Sequence, residues 1–303
     1  MKFRGHETFF IRKGWLSKGM RYVVAKPNVF VDKKENPMDV LGIGSNMVKS
    51  LRYWLQVTGL TFEGKGRTRE QQLTEFGSLV FDNDCYIEEM GTLLLLHYKM
   101  ASDFENATAM YYFFNVFDIA DFSKSDFLIQ LESYIDFHNG EDGKKVARRS
   151  LEDDITCIIN TYIPRYKTSP AKISAENNID SPFGEIGLID ILGREKGEVI
   201  YKKSIPGAKT FNPWVTLAVI QDYAHKNGEF VQEISLSDLL NTECNIGRIF
   251  NLDSITMMEI LYAVEKIGEI KIIRTAGLDV IRVLNDRSFE ECVSLYYKSF
   301  TKE

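Results

Sequence analysis

The sequence predicts an α-rich α+β protein in which two units, each of helices followed by a hairpin, flank a helical middle. Three observations predict this fold class. Capping and turn residues separate stretches with helical spacing of apolar residues. Each outer unit ends in two short segments of strand character joined by a glycine-containing turn. Residues 81–165 combine helical spacing with many aromatic residues, as expected of a buried helical layer.

The chain has 303 residues, more than one typical domain, so we expect several packed units. Residues 1–80 and 211–303 form the outer units, and the second of these begins at the helix-start signal Asn212-Pro213. Residues 81–165 form the helical domain. Residues 166–210 are rich in Pro, Gly, Asn and Ser, so we expect a loop-rich connector that has room for a short hairpin.

The charge of the chain is divided unevenly along its length. The formal net charge is −6, yet residues 1–70 carry 14 Lys and Arg against 6 Asp and Glu. The remaining 233 residues carry 23 Lys and Arg against 37 Asp and Glu. An asymmetry of this size indicates a basic binding face on an otherwise acidic body.

The first unit has the parts of a winged helix-turn-helix, a motif that binds DNA. Residues 36–41 predict a short helix, residues 42–44 a turn, and Ser45 an N-cap for a longer helix over 46–57. Gly59 ends this helix. Residues 60–63 and 71–74 predict the two strands of a wing.

The outer face of the longer helix contains no acidic residue, although solvent-exposed helix faces usually carry both charge signs. Val48, Leu51 and Leu55 mark the inner face. We therefore predict that the outer face contacts phosphates or base edges, with basic residues of the wing tip and of the first helix region alongside it. An ordinary soluble amphipathic helix is the alternative. The predicted DNA-binding residues are Asn46, Lys49, Ser50, Arg52, Tyr53, Gln56, Lys65, Arg67, Arg69, Arg12 and Lys18.

The second unit has the same outline with the opposite charge. Asp253 caps a predicted helix over 254–267, and Gly268 and a hairpin over 269–284 follow. Its outer face carries Glu259 and Glu265, which phosphates repel. We predict a second winged-helix-like domain that contacts protein rather than DNA.

The remaining composition excludes several classes of protein. The longest apolar run is far shorter than a membrane span, and the first residues lack the apolar core of a secretory signal, so we expect a cytoplasmic protein that does not contact a membrane. The four cysteines lie far apart, without metal-ligand or redox spacing, and we expect reduced thiols.

Four blocks of sequence resemble a bacterial family of proteins of unknown function. The blocks are specific and lie in roughly the first 120 residues. The first is Gly5-His6-Glu7-Thr8-Phe9 with Arg12 and Gly14-Trp15-Leu16, the second Leu41-Gly42 to Val48 with Arg52-Tyr53-Trp54, the third Leu73-Thr74 to Tyr98, and the fourth Phe113-Phe114-Asn115.

Members of this family are similar to the B component of Ssp DNA phosphorothioation systems. These anti-phage systems replace a non-bridging phosphate oxygen by sulfur in one DNA strand. The resemblance implies a subunit that binds and nicks DNA beside a cysteine desulfurase, an ATPase and a sulfur-activating enzyme.

The residues themselves leave catalysis open. Metal-assisted nicking needs clustered carboxylates that hold Mg²⁺, and the best local cluster is Asp82, Asp84, Glu88 and Glu89. Asp84 and Glu88 would share one face of a helix, although helix capping explains such acids equally well. His6 and Glu7 form the second candidate site, with His6 as a general base or, alternatively, as a brace for the first helix.

Three functions therefore stay open at this point: a Mg²⁺-dependent DNA-nicking enzyme, a DNA-binding adaptor that recruits the sulfur enzymes through its acidic C-terminal half, and a transcription regulator. The identity of the metal, the recognised DNA sequence and the oligomeric state are not specified by the sequence. His97 lies on an apolar face, so we expect it in the core rather than in a site.

Overall fold

The computed structural model of the chain describes residues 1–64, 69–140, 145–163, 180–226, 228–275 and 278–300. The helices are α1 (Trp15–Ala25), α2 (Pro37–Leu41), α3 (Ser45–Val57), α4 (Glu75–Asn83), α5 (Met90–Ser102), α6 (Thr108–Asn115), α7 (Lys124–Asn139), α8 (Arg148–Tyr162), α9 (Pro213–Ala224), α10 (Leu236–Asn241), α11 (Ile246–Ile249), α12 (Ser254–Lys266) and α13 (Phe289–Lys298). The strands are β1 (Thr61–Glu63), β2 (Gln71–Leu73), β3 (Asp121–Phe122), β4 (Ile189–Glu195), β5 (Glu198–Lys203), β6 (Glu233–Ser235), β7 (Ile270–Thr275) and β8 (Leu278–Val283).

The strands form three small antiparallel sheets among the helices, which confirms the α-rich α+β class. The first sheet is the β1–β2 hairpin, the second has the order β3-β5-β4, and the third has the order β6-β8-β7. Within the described ranges no helix combines the length and the apolar character that crossing a membrane requires.

Local capping signals place the elements of the first unit. The Asn36 side chain accepts a hydrogen bond from the Met38 N–H at the start of α2, and Gly42 ends this helix with a φ of 61°. Gly59, with a φ of 72°, follows α3. Gly44, rather than Ser45, is the N-cap of α3, since Ser45 already has helical geometry. The β1–β2 hairpin follows, with Thr61 opposite Leu73.

The second unit also has its predicted helix and hairpin. The Asp253 side chain accepts a hydrogen bond from the Thr256 N–H, and α12 is followed by Gly268 with a φ of 78° and by β7 and β8. Two elements were not predicted. Strand β6 adds to the outer side of β8, and α13 packs against α9.

The described part of the predicted connector, residues 180–210, belongs to the core. Phe183, Leu188 and Ile189 are buried, and β5 pairs with β3 of the helical middle. A continuous cluster of buried side chains runs from Phe10 to Tyr297 and draws on all four predicted segments. The Pro and Gly content predicts loops with room for a short hairpin, but it does not reveal that apolar residues between them insert into this shared core.

His97 is buried at a junction of three helices, as its apolar surroundings predict. Its Nδ1 lies 2.6 Å from the Tyr162 hydroxyl of α8, and its Nε2 lies 2.8 Å from the Ile249 carbonyl oxygen of α11. Because a carbonyl can only accept, Nε2 carries the proton and Nδ1 accepts from the tyrosine. Burial lowers the pKa of His97 to about 4.

We predict that acid weakens the fold through His97. Unfolded His97 binds a proton below its ordinary pKa of 6.5, whereas the folded protein excludes that proton down to pH 4. The free energy of unfolding should therefore fall as the pH drops through this window, by up to about 1.4 kcal/mol per pH unit from this residue. Urea denaturation at several pH values measures the slope. The variant His97→Gln should show a shallower slope, and parallel slopes would contradict the assignment.

Candidate nucleic-acid interface

The N-terminal arm, residues 1–11, lies across the outer face of α3. The Phe9 carbonyl oxygen accepts hydrogen bonds from Ser50 Oγ (3.3 Å) and Trp54 Nε1 (2.9 Å). Gly5 lies so close to the Tyr53 ring that a Cβ atom there would come within 2.5 Å of it. Ser50 and Tyr53, which we predicted to be exposed for DNA contact, are therefore buried. The spacing of a single helix cannot show that a distant segment covers part of its outer face.

A buried contact between His6 and Asp154 of α8 anchors this arm. His6 Nε2 lies 2.5 Å from Asp154 Oδ1, and the Arg4 backbone N–H reaches both carboxylate oxygens, at 3.0 and 3.1 Å. The Thr8 backbone N–H donates to His6 Nδ1 at 3.0 Å. Both ring nitrogens of His6 are thus occupied within the protein, an arrangement that fits a brace rather than a general base for DNA.

Opposing effects set the pKa of His6. Burial lowers it, whereas the neighbouring Cys157 and Asp154 raise it, and the net change is upward. The Thr8 N–H opposes this change because it needs the lone pair of an unprotonated Nδ1. We therefore assign the proton to Nε2, where it is shared with the Asp154 carboxylate.

The anchored arm is also strained. Arg4, Glu7 and Thr8 have φ values of 58°, 49° and 70°, in the left-handed region that non-glycine residues seldom occupy. Such conformations persist only where the surrounding contacts impose them. In this arm, the bonds to Asp154 impose the turn that brings Lys2 and Glu7 to the edge of α3.

Four cations from three separate segments meet in one depression beside α3, which we call the α3 depression. It has an empty volume of about 750 Å³ and lies where the arm, α3 and the β1–β2 hairpin come together. Two acids, Glu7 and Glu63, also line it, so the charged side chains sum to a positive value. The cations are Lys2, Lys49, Arg52 and Arg69.

The two acids each hold a cation of α3. Glu63 Oε1 accepts from Arg52 Nε and Nη2, both at 2.7 Å, and from Gln56 Nε2 at 2.9 Å. The Glu7 carboxylate lies 3.7 Å from Lys49 Nζ. Arg52 and Gln56 are half-buried and pre-oriented by Glu63, whereas Lys49 and Asn46 are exposed.

The other predicted DNA-binding residues are distributed differently. Arg69 is exposed at the hairpin, and Lys65 and Arg67 lie outside the described residues. Lys18 Nζ donates to the Leu41 carbonyl oxygen at the end of α2. The Arg12 guanidinium lies 5.0 Å from the centre of the Trp15 ring and 5.6 Å from that of Phe9. The structure therefore brings Lys49, Arg52, Gln56 and Arg69 together and places Arg12 and Lys18 elsewhere.

Sequence reasoning missed Lys33 and Lys34. Both are exposed and line a second depression of about 900 Å³ that also includes Arg69, on the other side of the hairpin. Both lysines contribute to the excess of basic residues over 1–70. Residues 26–36 precede the predicted helix-turn-helix and have no helical spacing, so the sequence pattern does not assign these lysines to a binding face.

The predicted carboxylate cluster does not lie on one helix. Asp82 belongs to α4, and residues 84–89 form the connection between α4 and α5, so the prediction that Asp84 and Glu88 share a helix face is wrong. Asp84 is buried, and its two oxygens accept from the backbone N–H groups of Glu88 (2.9 Å) and Glu89 (3.1 Å). Asp82 and Glu88 are exposed.

These residues do not fit a magnesium site. The described part of the chain contains no group of three His, Cys, Asp or Glu side chains arranged to hold a metal ion. Glu63, Asp84 and Asp154 each accept at least two hydrogen bonds from the protein, and the Glu7 carboxylate faces Lys49. The cysteines of the described ranges are unpaired thiols.

Comparison with protein families gives a match over residues 3–297 to a family described as a protein of unknown function, DUF4007. The chain belongs to this family. The match extends well beyond the first 120 residues on which the sequence blocks rest. The comparison with curated proteins gives no match.

Two crystal structures of SspB share the fold of this DUF4007 protein. One is a magnesium-bound form, which superposes with a TM-score of 0.83, and the second superposes with a TM-score of 0.82. Both are 23% identical in sequence, and the alignments cover 100% of this chain and 89% of SspB. The architecture is thus shared over the whole length, at an identity that supports a statement about the fold alone.

We predict that Asp154 is needed to hold the arm. The variant Asp154→Ala leaves the His6 and Arg4 N–H groups without an acceptor, and the free energy of unfolding should fall by about 3 kcal/mol. Urea denaturation measures the loss. Asp153 is the matched control, since its only described ion pair is a partly exposed contact with Arg4 at 3.0 Å. Asp153→Ala should cost less than about 1 kcal/mol, and equal losses would contradict the anchoring role.

Proposed function

We propose that this DUF4007 protein is the DNA-binding component of a bacterial DNA phosphorothioation system and that it holds duplex DNA at the α3 depression. The observation that carries this proposal is the convergence of Lys2, Lys49, Arg52 and Arg69, from three segments, on one concave surface of an otherwise acidic chain. Phosphate contacts of this kind supply most of the sequence-independent affinity for DNA.

The order of the elements supports the same proposal. Helices α1, α2 and α3 followed by the β1–β2 hairpin have the order of a winged helix-turn-helix, with α3 in the place of the recognition helix. The arm covers the Ser50 and Tyr53 side of α3, which leaves Asn46, Lys49, Arg52 and Gln56 for DNA. Glu63 holds Arg52 through Nε and Nη2, so its Nη1 edge remains available for a phosphate or a guanine.

The place of the protein in a phosphorothioation system rests on the sequence blocks and on the shared fold with SspB. By that relationship its partners would include the desulfurase, the ATPase and the sulfur-activating enzyme. The acidic outer face of α12, with exposed Glu259 and half-buried Glu265, suits contact with protein rather than with phosphates. The DNA-binding adaptor is therefore the form of the proposal that the described residues support best.

We predict that DNA affinity depends on the cations of the α3 depression. The triple variant Lys2→Ala, Lys49→Ala and Arg69→Ala should bind duplex DNA of any sequence more weakly. The slope of log K against log salt concentration should flatten by about 1 for each lost phosphate contact. Fluorescence anisotropy with a labelled duplex at several salt concentrations measures both quantities.

A matched control removes the same charge elsewhere. Lys209, Lys226 and Lys266 are exposed and lie far from the arm in sequence. Their triple Ala variant should keep the wild-type slope. If both triple variants lose affinity and slope equally, net charge rather than the depression explains binding, and the proposed interface is wrong.

We predict that DNA binding does not need a divalent metal, because both carboxylates of the α3 depression, Glu7 and Glu63, are already paired with cations of α3. Duplex affinity in EDTA should equal that in Mg²⁺ at matched ionic strength. The same samples incubated with supercoiled plasmid separate adaptor from enzyme. Relaxation that needs Mg²⁺, by the protein alone or with its operon partners, would demonstrate nicking and require metal ligands beyond the cluster predicted at Asp82, Asp84 and Glu88.

A further inference from the structure

A groove along α1, here called the tyrosine groove, combines two tyrosines, the exposed Tyr86 and the half-buried Tyr22, with basic side chains of α1. Lys18, Arg21, Tyr22 and Ala25 recur at helical spacing and form one wall, and Tyr86 from the α4–α5 connection forms the other. The groove has an empty volume of about 980 Å³. It lies on a different face of α1 from Gly19, which packs against Leu55 of α3. It is therefore separate from the α3 depression.

Hydrogen bonds within residues 84–89 hold the turn that carries Tyr86. Both Asp84 oxygens bind backbone N–H groups of residues 88 and 89, and the Ile87 N–H donates to the Asp84 carbonyl oxygen at 3.0 Å. Ile87 has a φ of 56° and a buried side chain. These contacts fix the turn, while the Tyr86 side chain between them is 65% exposed. The Tyr86 ring is therefore presented to solvent from a fixed turn.

Cations flank Tyr86 on both sides. A smaller hollow next to the groove shares Gly14, Ser17 and Tyr86 with it and adds Arg12 and Lys13. Among the described residues, neither lining includes an Asp or a Glu. Basic side chains therefore lie on both sides of Tyr86, and the small residues Gly14 and Ser17 form the floor between them.

We propose that the tyrosine groove binds unpaired nucleotides of a DNA strand, with bases stacked on Tyr86 and Tyr22 and phosphates bound by Arg21 and Lys13. Basic grooves that present aromatic side chains bind single strands in this way, because every base has a face that can stack. This inference rests on the proposed function and adds the form of DNA that the protein takes: a duplex with an unpaired segment, such as occurs at a nick or an opened site.

Tyr86 and Tyr22 give a direct test with the full-length protein. Affinity is measured for a labelled 12-nucleotide oligo(dT) and for a labelled blunt duplex. Tyr86→Ala and Tyr22→Ala should each weaken oligo(dT) binding about tenfold and change duplex binding less than twofold. Tyr86→Phe retains the ring and should bind as the wild type does. Tyr262→Ala is the control, since Tyr262 is an exposed tyrosine of α12.

A second readout reports stacking itself. An oligonucleotide that contains 2-aminopurine should change its fluorescence when it binds the wild type and Tyr86→Phe, but much less with Tyr86→Ala at saturating protein. The proposed nucleotide site is wrong if Tyr86→Ala leaves the oligo(dT) affinity unchanged, or if Tyr262→Ala lowers that affinity by the same factor. Urea denaturation of each variant confirms that the fold is intact.

The two proposals fail in different ways. If the α3 triple variant retains duplex binding while Tyr86→Ala loses oligo(dT) binding, the proposed duplex site is wrong and the tyrosine groove stands. If the triple variant loses duplex binding and the tyrosine variants bind oligo(dT) as the wild type does, the groove is wrong and the proposed function stands.

Discussion

The contact between His6 and Asp154 determines how the candidate interface is built. Its partners lie in the N-terminal arm and in α8 of the helical middle. With this contact made, the strained turn over residues 4–8 is imposed, Gly5 is pressed against Tyr53, and Lys2 reaches the edge of α3. A carboxylate buried in the helical middle thereby controls the position of cations at the surface. His6, the residue of the arm that suggested acid–base chemistry, therefore acts as a structural support that positions Lys2.

Asp84 is a second acidic residue that organises the backbone of a neighbouring segment. Clustered acids after the wing indicated metal binding, yet the carboxylate of Asp84 is used within the protein to shape a turn. That turn exposes Tyr86, which lines the groove that we propose for unpaired nucleotides. In both places an acid that could serve catalysis organises the backbone.

The sequence was most informative where a structural signal is local. Asn36, Gly59, Asp253 and Gly268 act within a few residues of themselves, and each helix boundary that they predict is found in the structure. Signals that depend on distant partners were not accessible. The burial of Ser50 and Tyr53 depends on an arm about 45 residues earlier in the chain, and the role of His6 depends on a partner 148 residues away. Charge asymmetry predicted the basic region but not its concave shape, because that shape arises where three segments meet.

The continuous core has a consequence for how such proteins change during evolution. Domains that fold alone and connect to their neighbours by flexible linkers can be exchanged between proteins as units. Here the buried cluster extends from Phe10 to Tyr297, and the N-terminal arm depends on α8 for its conformation. Recombination at a point within the chain would separate residues that pack together in one core, because no flexible linker divides that core within the described residues. New binding preferences in this family would therefore arise by substitution on the surface of an intact scaffold rather than by the exchange of modules.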